Sequence, residues 1–324
     1  MPTVLIPDYI QNPDVEEKIF GEEATVQALG ASQEDEVIPH ANKADAILLY
    51  HEISITPRLI QHLSKCRIVV RCGVGYDNID RKAAGEAGIL VCNVPDYGTE
   101  EVADHAIMML LAITRKLIPS NAAIKNGEWD PVQAFGSPRL RGQTLGLIGC
   151  GRIGTATALR AKAFGFRALF YDPYLPRGYD KALGIERADH LEDLLSQSKM
   201  VSLHCPLTEE THHILNRETL AQLPQGAYVI NTARGGCVDL DALADALESQ
   251  HLEAAGLDVV EDEPEVPDNI RRHPKVLLTP HVAYYSVEGF LEMRSKAAHE
   301  VLRFLRGEQV HNPVNLQWLA SRSS

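Results

Sequence analysis

The sequence predicts an α/β fold with two parallel-sheet domains, and three observations carry that prediction. Short β-branched runs alternate with helical segments through most of the chain. The alternation occurs twice, on either side of a long apolar helix and a polar, irregular stretch. The second series opens with a strand that runs straight into a glycine-rich turn, GLIGCGRIG, residues 146–154. At 324 residues the chain is long enough for about two domains.

In the first series TVLIP, ADAILLY, CRIVVRCG and GILVCN read as buried strands, with TPRLIQHLSK and RKAAGEAG as short helices between them, giving a parallel unit over residues 1 to about 95. A long helix is expected from Thr99 to Leu117, with Thr99 as cap and Glu100 and Glu101 in the first turn, where the helix dipole favours acids. KNGEWDPVQAFGSPRLRG reads as a surface connection. The second series offers QTLGLIG, RALFYD, MVSLHCP, AYVINTA, AAGLDVV and KVLLTPHV as strands, and ATALRAKAFG and LDALADALES as helices. An amphipathic helix over Val287–Leu305 closes the chain. No repeat of solenoid period is visible.

Composition narrows the function. The chain is 45% hydrophobic and 23% charged with a formal charge of -13, ordinary for a soluble globular protein except in its acidity. With no basic run, nucleic acid is not an expected partner. An anionic substrate needs locally placed cations against this field. The opening MPTVLIPDYI is interrupted by Pro7 and Asp8, so no secretory signal is expected. The densest apolar stretch, ADHAIMMLLAITRKLI, is too short and too polar at its ends to span a bilayer. The six cysteines form no C-x-x-C pair. They read as reduced thiols of a cytoplasmic protein.

Gly149, Gly151 and Gly154 form G-x-G-x-x-G. A strand precedes it, a helix follows, and Asp172 ends the next strand about 20 residues on, the context that lifts a weak pattern to a dinucleotide cradle. The first glycine makes the tight turn, the second lets backbone approach the pyrophosphate, and the third lets helix and strand pack closely. Arg152 and Ile153 supply amides at the helix start. A carboxylate at Asp172 suits the ribose hydroxyls and repels a 2′-phosphate, which favours NAD over NADP; Arg177, five residues on, softens that preference. Hydride exchange between a nicotinamide and a carbonyl further needs an acid/base, and an anionic substrate needs a cation. Arg234 stands at one strand end and His281 at another, among 13 histidines of which His212 and His213 carry no role on their own. No metal centre is expected, because the histidines lack H-x-x-x-H or H-E-x-x-H spacing.

The motifs RCGVGYDNID, GLIGCGRIG, LHCPLTEETHHILN, VINTARGG, LDVVEDEP and TPHVAYYS, in this order, make the chain similar to the D-isomer-specific 2-hydroxyacid dehydrogenase family over nearly its whole length. RCGVGYDNID, VCNVP and TPHVAYYSVEGFLEMR most resemble the branch containing the C-terminal-binding proteins. The resemblance implies two Rossmann-like or flavodoxin-like domains with the active cleft between them. Residues 1–97 and 286–324 would form a discontinuous substrate domain, and 98–285 the NAD-binding domain. It implies His281 as acid/base, Glu263, the glutamate just before proline in VEDEPEVPD, as its partner, and Arg234 as the substrate's cation. It implies Arg71 and the backbone N–H groups of Val74 and Gly75 as substrate binders. Tyr284 stands where that branch carries tryptophan. It implies Cys205, Pro206, Thr232 and Ala233 along the dinucleotide, Asp258 on the nicotinamide carboxamide, NAD as cofactor, a small 2-oxo or 2-hydroxy acid as substrate, and a homodimer.

The expected function is therefore NAD-dependent hydride transfer between nicotinamide and a 2-oxo/D-2-hydroxy acid. The alternative is an NAD-sensing binding protein like the corepressors of that branch, which carry an added disordered tail. VNLQWLASRSS offers no such tail, and the enzyme is the expected outcome. A formate-type site would pair histidine with glutamine, against Glu263.

Overall fold

In the computed structural model, residues 1–319 are described. The chain divides into two units, Met1–Gly98 with Ser286–Ser324, and Thr99–Tyr285.

Among the described residues the first unit holds a five-stranded parallel sheet of β1 (Thr3–Ile6), β2 (Thr25–Ala28), β3 (Ala46–Leu49), β4 (Ile68–Arg71) and β5 (Leu90–Asn93), in the order β2-β1-β3-β4-β5. β3 is AILL and buried at every position, as a strand covered on both faces requires. The core gathers Leu5, Ile47, Leu49, Val69 and Val91 with Leu59 and Leu63 from the helical side. β2 is TVQA, short and at best half-buried, so its sequence carries no strand signature. The helices Asp14–Phe20 and Glu34–Ala41 that flank it are equally absent from the periodicity reading. The closing helix Val287–Leu305 packs into this unit. Arg294 reaches Glu16 with Nε at 2.9 Å and Nη2 at 2.6 Å, and Asp14 with Nη2 at 2.8 Å.

The second unit holds a seven-stranded parallel sheet, β12-β11-β10-β9-β6-β7-β8, of β6 (Thr144–Ile148), β7 (Arg167–Tyr171), β8 (Glu186–Arg187), β9 (Met200–Leu203), β10 (Ala227–Asn231), β11 (Leu252–Leu257) and β12 (Val276–Leu278). β6 and β10 are buried throughout. The order reverses direction between β6 and β9, and such a switch point opens a crevice at the carboxyl ends of the strands. The helix expected over Thr99–Leu117 ends at Thr114. Lys116 adopts a left-handed φ of 53°, and a second helix, Leu117–Lys125, leaves at 61°. The irregular stretch that follows carries a 3-10 turn at Pro131–Ala134. Among the described residues no single helix is long and apolar enough to cross a membrane.

Candidate active site

In a parallel sheet every strand delivers its following loop to the same edge. In the second unit Gly149 follows β6, Asp172 follows β7, Cys205 follows β9, Arg234 follows β10, Asp258 follows β11 and His281 follows β12. Residues spread over more than a hundred positions thus share one rim.

The glycine turn is built on close approach. Gly149 sits at φ +90°, and a Cβ there would lie 2.8 Å from the backbone nitrogen of Cys205. A Cβ on Gly154 would lie 2.3 Å from the Gly149 carbonyl oxygen, whereas one on Gly151 would meet nothing within 4 Å. The first and third glycines are therefore required by the protein's own packing. The second faces open space at the start of the helix Arg152–Ala163, where Arg152 and Ile153 stand, and that helix terminus suits phosphate. The Asp172 carboxylate accepts from the N–H of Cys150 at 2.9 Å and of Tyr174 at 3.0 Å, which fixes it beside the turn. Arg177 turns to Asp189 at 3.4 Å.

Two buried polar atoms at this rim have no hydrogen-bond partner among the described residues: Oγ1 of Thr232 and Nδ1 of His204. Burial of an unpaired polar atom costs on the order of 1–3 kcal/mol, so both fit a hydroxyl-rich ligand laid along the strand ends. His204 donates to or accepts from Ser202 Oγ through Nε2 at 2.9 Å, and burial lowers its pKa to about 3, so the ring is neutral. In the sequence His204 stands at the end of a buried strand and inside LHCPLTEETHHILN, with no role of its own. Cys205 lies against Cys237, and that contact, with burial, pushes its thiol up, the opposite of what a nucleophilic cysteine needs. Pro206 and Ala233 lie on the same rim, Pro206 exposed and Ala233 half-buried.

Arg234, Glu263, His281 and Tyr284 come together. The His281 Nδ1 is 2.8 Å from Glu263 Oε2, and the rings of His281 and Tyr284 stand edge-on at 6.3 Å. Burial would raise the Glu263 carboxyl. The hydrogen bond and charge of His281, the Val260 N–H at 3.1 Å and the charge of Arg234 outweigh it and hold the group below the usual carboxylate range. The loop of Arg234 is held by Asn231, fully buried at the end of β10, whose Oδ1 accepts the Ala233 N–H at 3.0 Å and whose Nδ2 donates to the Arg234 carbonyl at 2.8 Å. Next to it, a Cβ on Gly235 would lie 1.9 Å from the Val260 carbonyl carbon. Only glycine lets the arginine loop press on the loop that carries Glu263.

Asp258 is buried at the end of β11. Its side chain is 1% exposed. It accepts from Thr279 Oγ1 at 2.5 Å, Val282 N–H at 3.0 Å and Ala283 N–H at 2.9 Å, with His105 Nε2 at 3.6 Å. Within the protein these bonds hold the turn of His281. Asn231 and Thr279, which lie inside VINTARGG and TPHVAYYS without a role of their own there, and His105 are thus positioning residues.

In the first unit Arg71 ends β4 and folds back. Its guanidinium donates to the Cys72 carbonyl and occupies the space a Cβ on Gly73 would need, with Nη1 at 1.8 Å. Val74 and Gly75 follow in a half-buried loop, tied to Asn93 Nδ2 through the Val74 carbonyl at 2.7 Å.

The second unit is thus a nucleotide-binding α/β domain: a switch-point crevice, an open glycine turn and a strand-end carboxylate define that class. Residues 107–283 match the family model described as D-isomer specific 2-hydroxyacid dehydrogenase, NAD binding domain, and the chain belongs to that family. It is 35% identical over 98% of its length to a D-3-phosphoglycerate dehydrogenase of Methanocaldococcus jannaschii and 36% identical over 97% to that of Bacillus subtilis. It spans 60% and 59% of the length of these relatives. It superposes with a TM-score of 0.88, at 32% identity, on an NADPH-dependent glyoxylate/hydroxypyruvate reductase of Sinorhizobium meliloti in complex with NADP and malonate, covering 100% of this chain and 99% of that one. The cofactor of the domain is accordingly a nicotinamide dinucleotide.

Proposed function

We propose that the chain is an NAD(H)-dependent oxidoreductase acting between a 2-oxo acid and the D-2-hydroxy acid. The observation that carries the reading is the His281–Glu263 contact at 2.8 Å on the strand-end rim of the nucleotide-binding unit, with Arg234 close enough to act electrostatically on Glu263. The bound nicotinamide supplies or accepts the hydride. Arg234 holds the carboxylate and polarises the carbonyl with its planar fork. Glu263 takes the Nδ1 side of His281, which assigns proton exchange to Nε2. A protonated ring gives its proton to the carbonyl oxygen during reduction, and a neutral ring accepts it during oxidation. In the first unit Arg71, with the amides of Val74 and Gly75, binds the substrate carboxylate in the same reading, and Tyr284 lines the substrate. Asp172, with Arg177 drawn to Asp189, favours NAD over NADP.

The relatives' names point to small anionic hydroxy acids. NADH consumption with a panel of 2-oxo acids, including glyoxylate, hydroxypyruvate and 3-phosphohydroxypyruvate, tests the reading. Turnover that collapses about a thousandfold or more in His281→Ala is expected for loss of an acid/base. Tight NAD binding with no turnover of any acid would refute it in favour of a binding protein of the corepressor type. The six free thiols suit a reducing compartment, the cytoplasm. Leu117, Trp129 and Phe135, 58%, 90% and 66% exposed, suit a homodimer, for which light scattering at twice the chain mass is the check.

A further inference from the structure

Outside the candidate active site, His212 and His213 meet a carboxylate from a distant loop. The Nε2 of His212 is 3.3 Å from Glu261 Oε1. The Nε2 of His213 is 3.2 Å from Oε1 and 2.9 Å from Oε2. One ligand atom from each residue lies within 4.8 Å of the others. The imidazole rings stack at 4.0 Å and 24° and send both Nε2 atoms to the same carboxylate. We propose that His212, His213 and Glu261 form a binding site for a divalent transition metal of the Zn2+ or Ni2+ class, a reading independent of the hydride-transfer assignment.

The spacing supports this. Metal–ligand bonds of about 2.0–2.1 Å in a tetrahedron place ligand atoms about 3.3–3.4 Å apart, close to the separations from each histidine to Oε1. Two imidazoles with one carboxylate select borderline metals over Ca2+ and Mg2+, which prefer all-oxygen sets. The ligands are held in place beforehand. His213 adopts a left-handed φ of 49°, an unfavourable conformation for a side-chain-bearing residue. Its N–H donates to the Gly236 carbonyl at 2.8 Å. The fourth position opens to solvent, since the side chains of His212, His213 and Glu261 are 53%, 32% and 32% exposed. Glu261 adds a carboxylate to the set, in a chain whose formal charge is -13, and both favour a cation. A bound ion would tie the segment after β9 to the loop carrying Glu263.

The test is calorimetric titration of the tag-free full-length chain with Ni2+ and Zn2+, and the visible spectrum with Co2+. One saturable site per chain is expected, weakened by about tenfold or more in both His213→Ala and Glu261→Gln and kept in Cys205→Ser and His281→Gln. Co2+ should give visible d–d bands without the sulfur charge-transfer band of a thiolate ligand. Absence of a saturable site, a site that survives either ligand substitution, or one that needs Cys205 or His281 overturns the proposal.

Discussion

Replacing Arg294 by methionine is expected to destabilise the first unit by about 3–5 kcal/mol, because it leaves a buried carboxylate without its counter-charge. The Glu16 side chain is 1% exposed and that of Arg294 10%. The two share a bidentate pairing, and burial, which alone would weaken the guanidinium's charge, is outweighed by Glu16 and Asp14. In Arg294→Met, Glu16 keeps, among the described residues, the Tyr50 hydroxyl at 3.4 Å. Asp14, 63% exposed, returns to water and adds little. Glu16→Leu alone removes the buried partner but leaves the guanidinium Asp14 at 2.8 Å and the Asn12 carbonyl at 3.1 Å, so its cost should be smaller. The double variant Glu16→Leu/Arg294→Met removes both charges and leaves apolar groups of similar size, so it should lie within about 2 kcal/mol of the parent or exceed it. The coupling between the sites is then about 3 kcal/mol or more.

A chain of two units need not unfold in one step, so the assay is native-state hydrogen exchange of the full chain, read peptide by peptide. Peptides covering Asp14–Phe20 and Val287–Leu305 should lose protection by roughly 10²- to 10⁴-fold in Arg294→Met and by less in Glu16→Leu and recover in the double, while those covering β10 and β11 stay unchanged. Arg294→Met within about 1 kcal/mol of the parent, or a double less protected than both singles, would refute the argument. The pair joins residues 278 apart, so the result measures how firmly the returning helix is fixed in the first unit.

Three further outcomes follow from the second unit. Gly154→Ala should unfold or shift the glycine turn, since its Cβ would fall 2.3 Å from the Gly149 carbonyl. Gly151→Ala should keep the parent melting temperature yet lose NAD affinity, as fluorescence titration would show; equal melting temperatures for the two would contradict the roles assigned here. Asp172→Ser should raise the KM for NADH by about tenfold or more and that for NADPH less, because it removes both the ribose acceptor and the repulsion of a 2′-phosphate. His204 holds its pKa near 3 by burial against 6.5 when unfolded, so it adds no pH-dependent penalty above 6.5, and below that the unfolded state gains the proton first. Stability should fall by up to about 1.4 kcal/mol per pH unit between 6.5 and 3, and His204→Asn should flatten that part of the melting-temperature profile.

The parallel strands are legible in the sequence where both faces are covered: AILL, TLGLI and AYVIN can only be buried, and their spacing gives the order of units. β2 is illegible because an edge strand with half-exposed residues needs no apolar run. The break at Lys116 is hidden because a helix with apolar residues all round shows no end until the backbone turns. The candidate site divides similarly. Gly149, Gly154 and Asp172 can be read because local geometry demands them. The gathering of Glu261 with His212 and His213 cannot, since it spans 48 residues and depends on where two loops land.

Asp258 shows what a motif leaves out. Resemblance gives the carboxylate at that position a partner on the cofactor and says nothing of its partners within the protein, which are Thr279, Val282 and Ala283. Its own carbonyl also accepts the His281 N–H at 2.7 Å. His281 sits at φ 52°, a conformation that costs a non-glycine residue on the order of 1 kcal/mol or more, and the bonds from Asp258 to the residues on either side of it offset that cost. A histidine held so cannot drift from Glu263 without breaking a set of charge-assisted bonds in a buried place, each about twice as strong as a neutral one. The acid at the end of β11 therefore acts on the ring of His281 through the backbone, by fixing where Nδ1 meets its carboxylate.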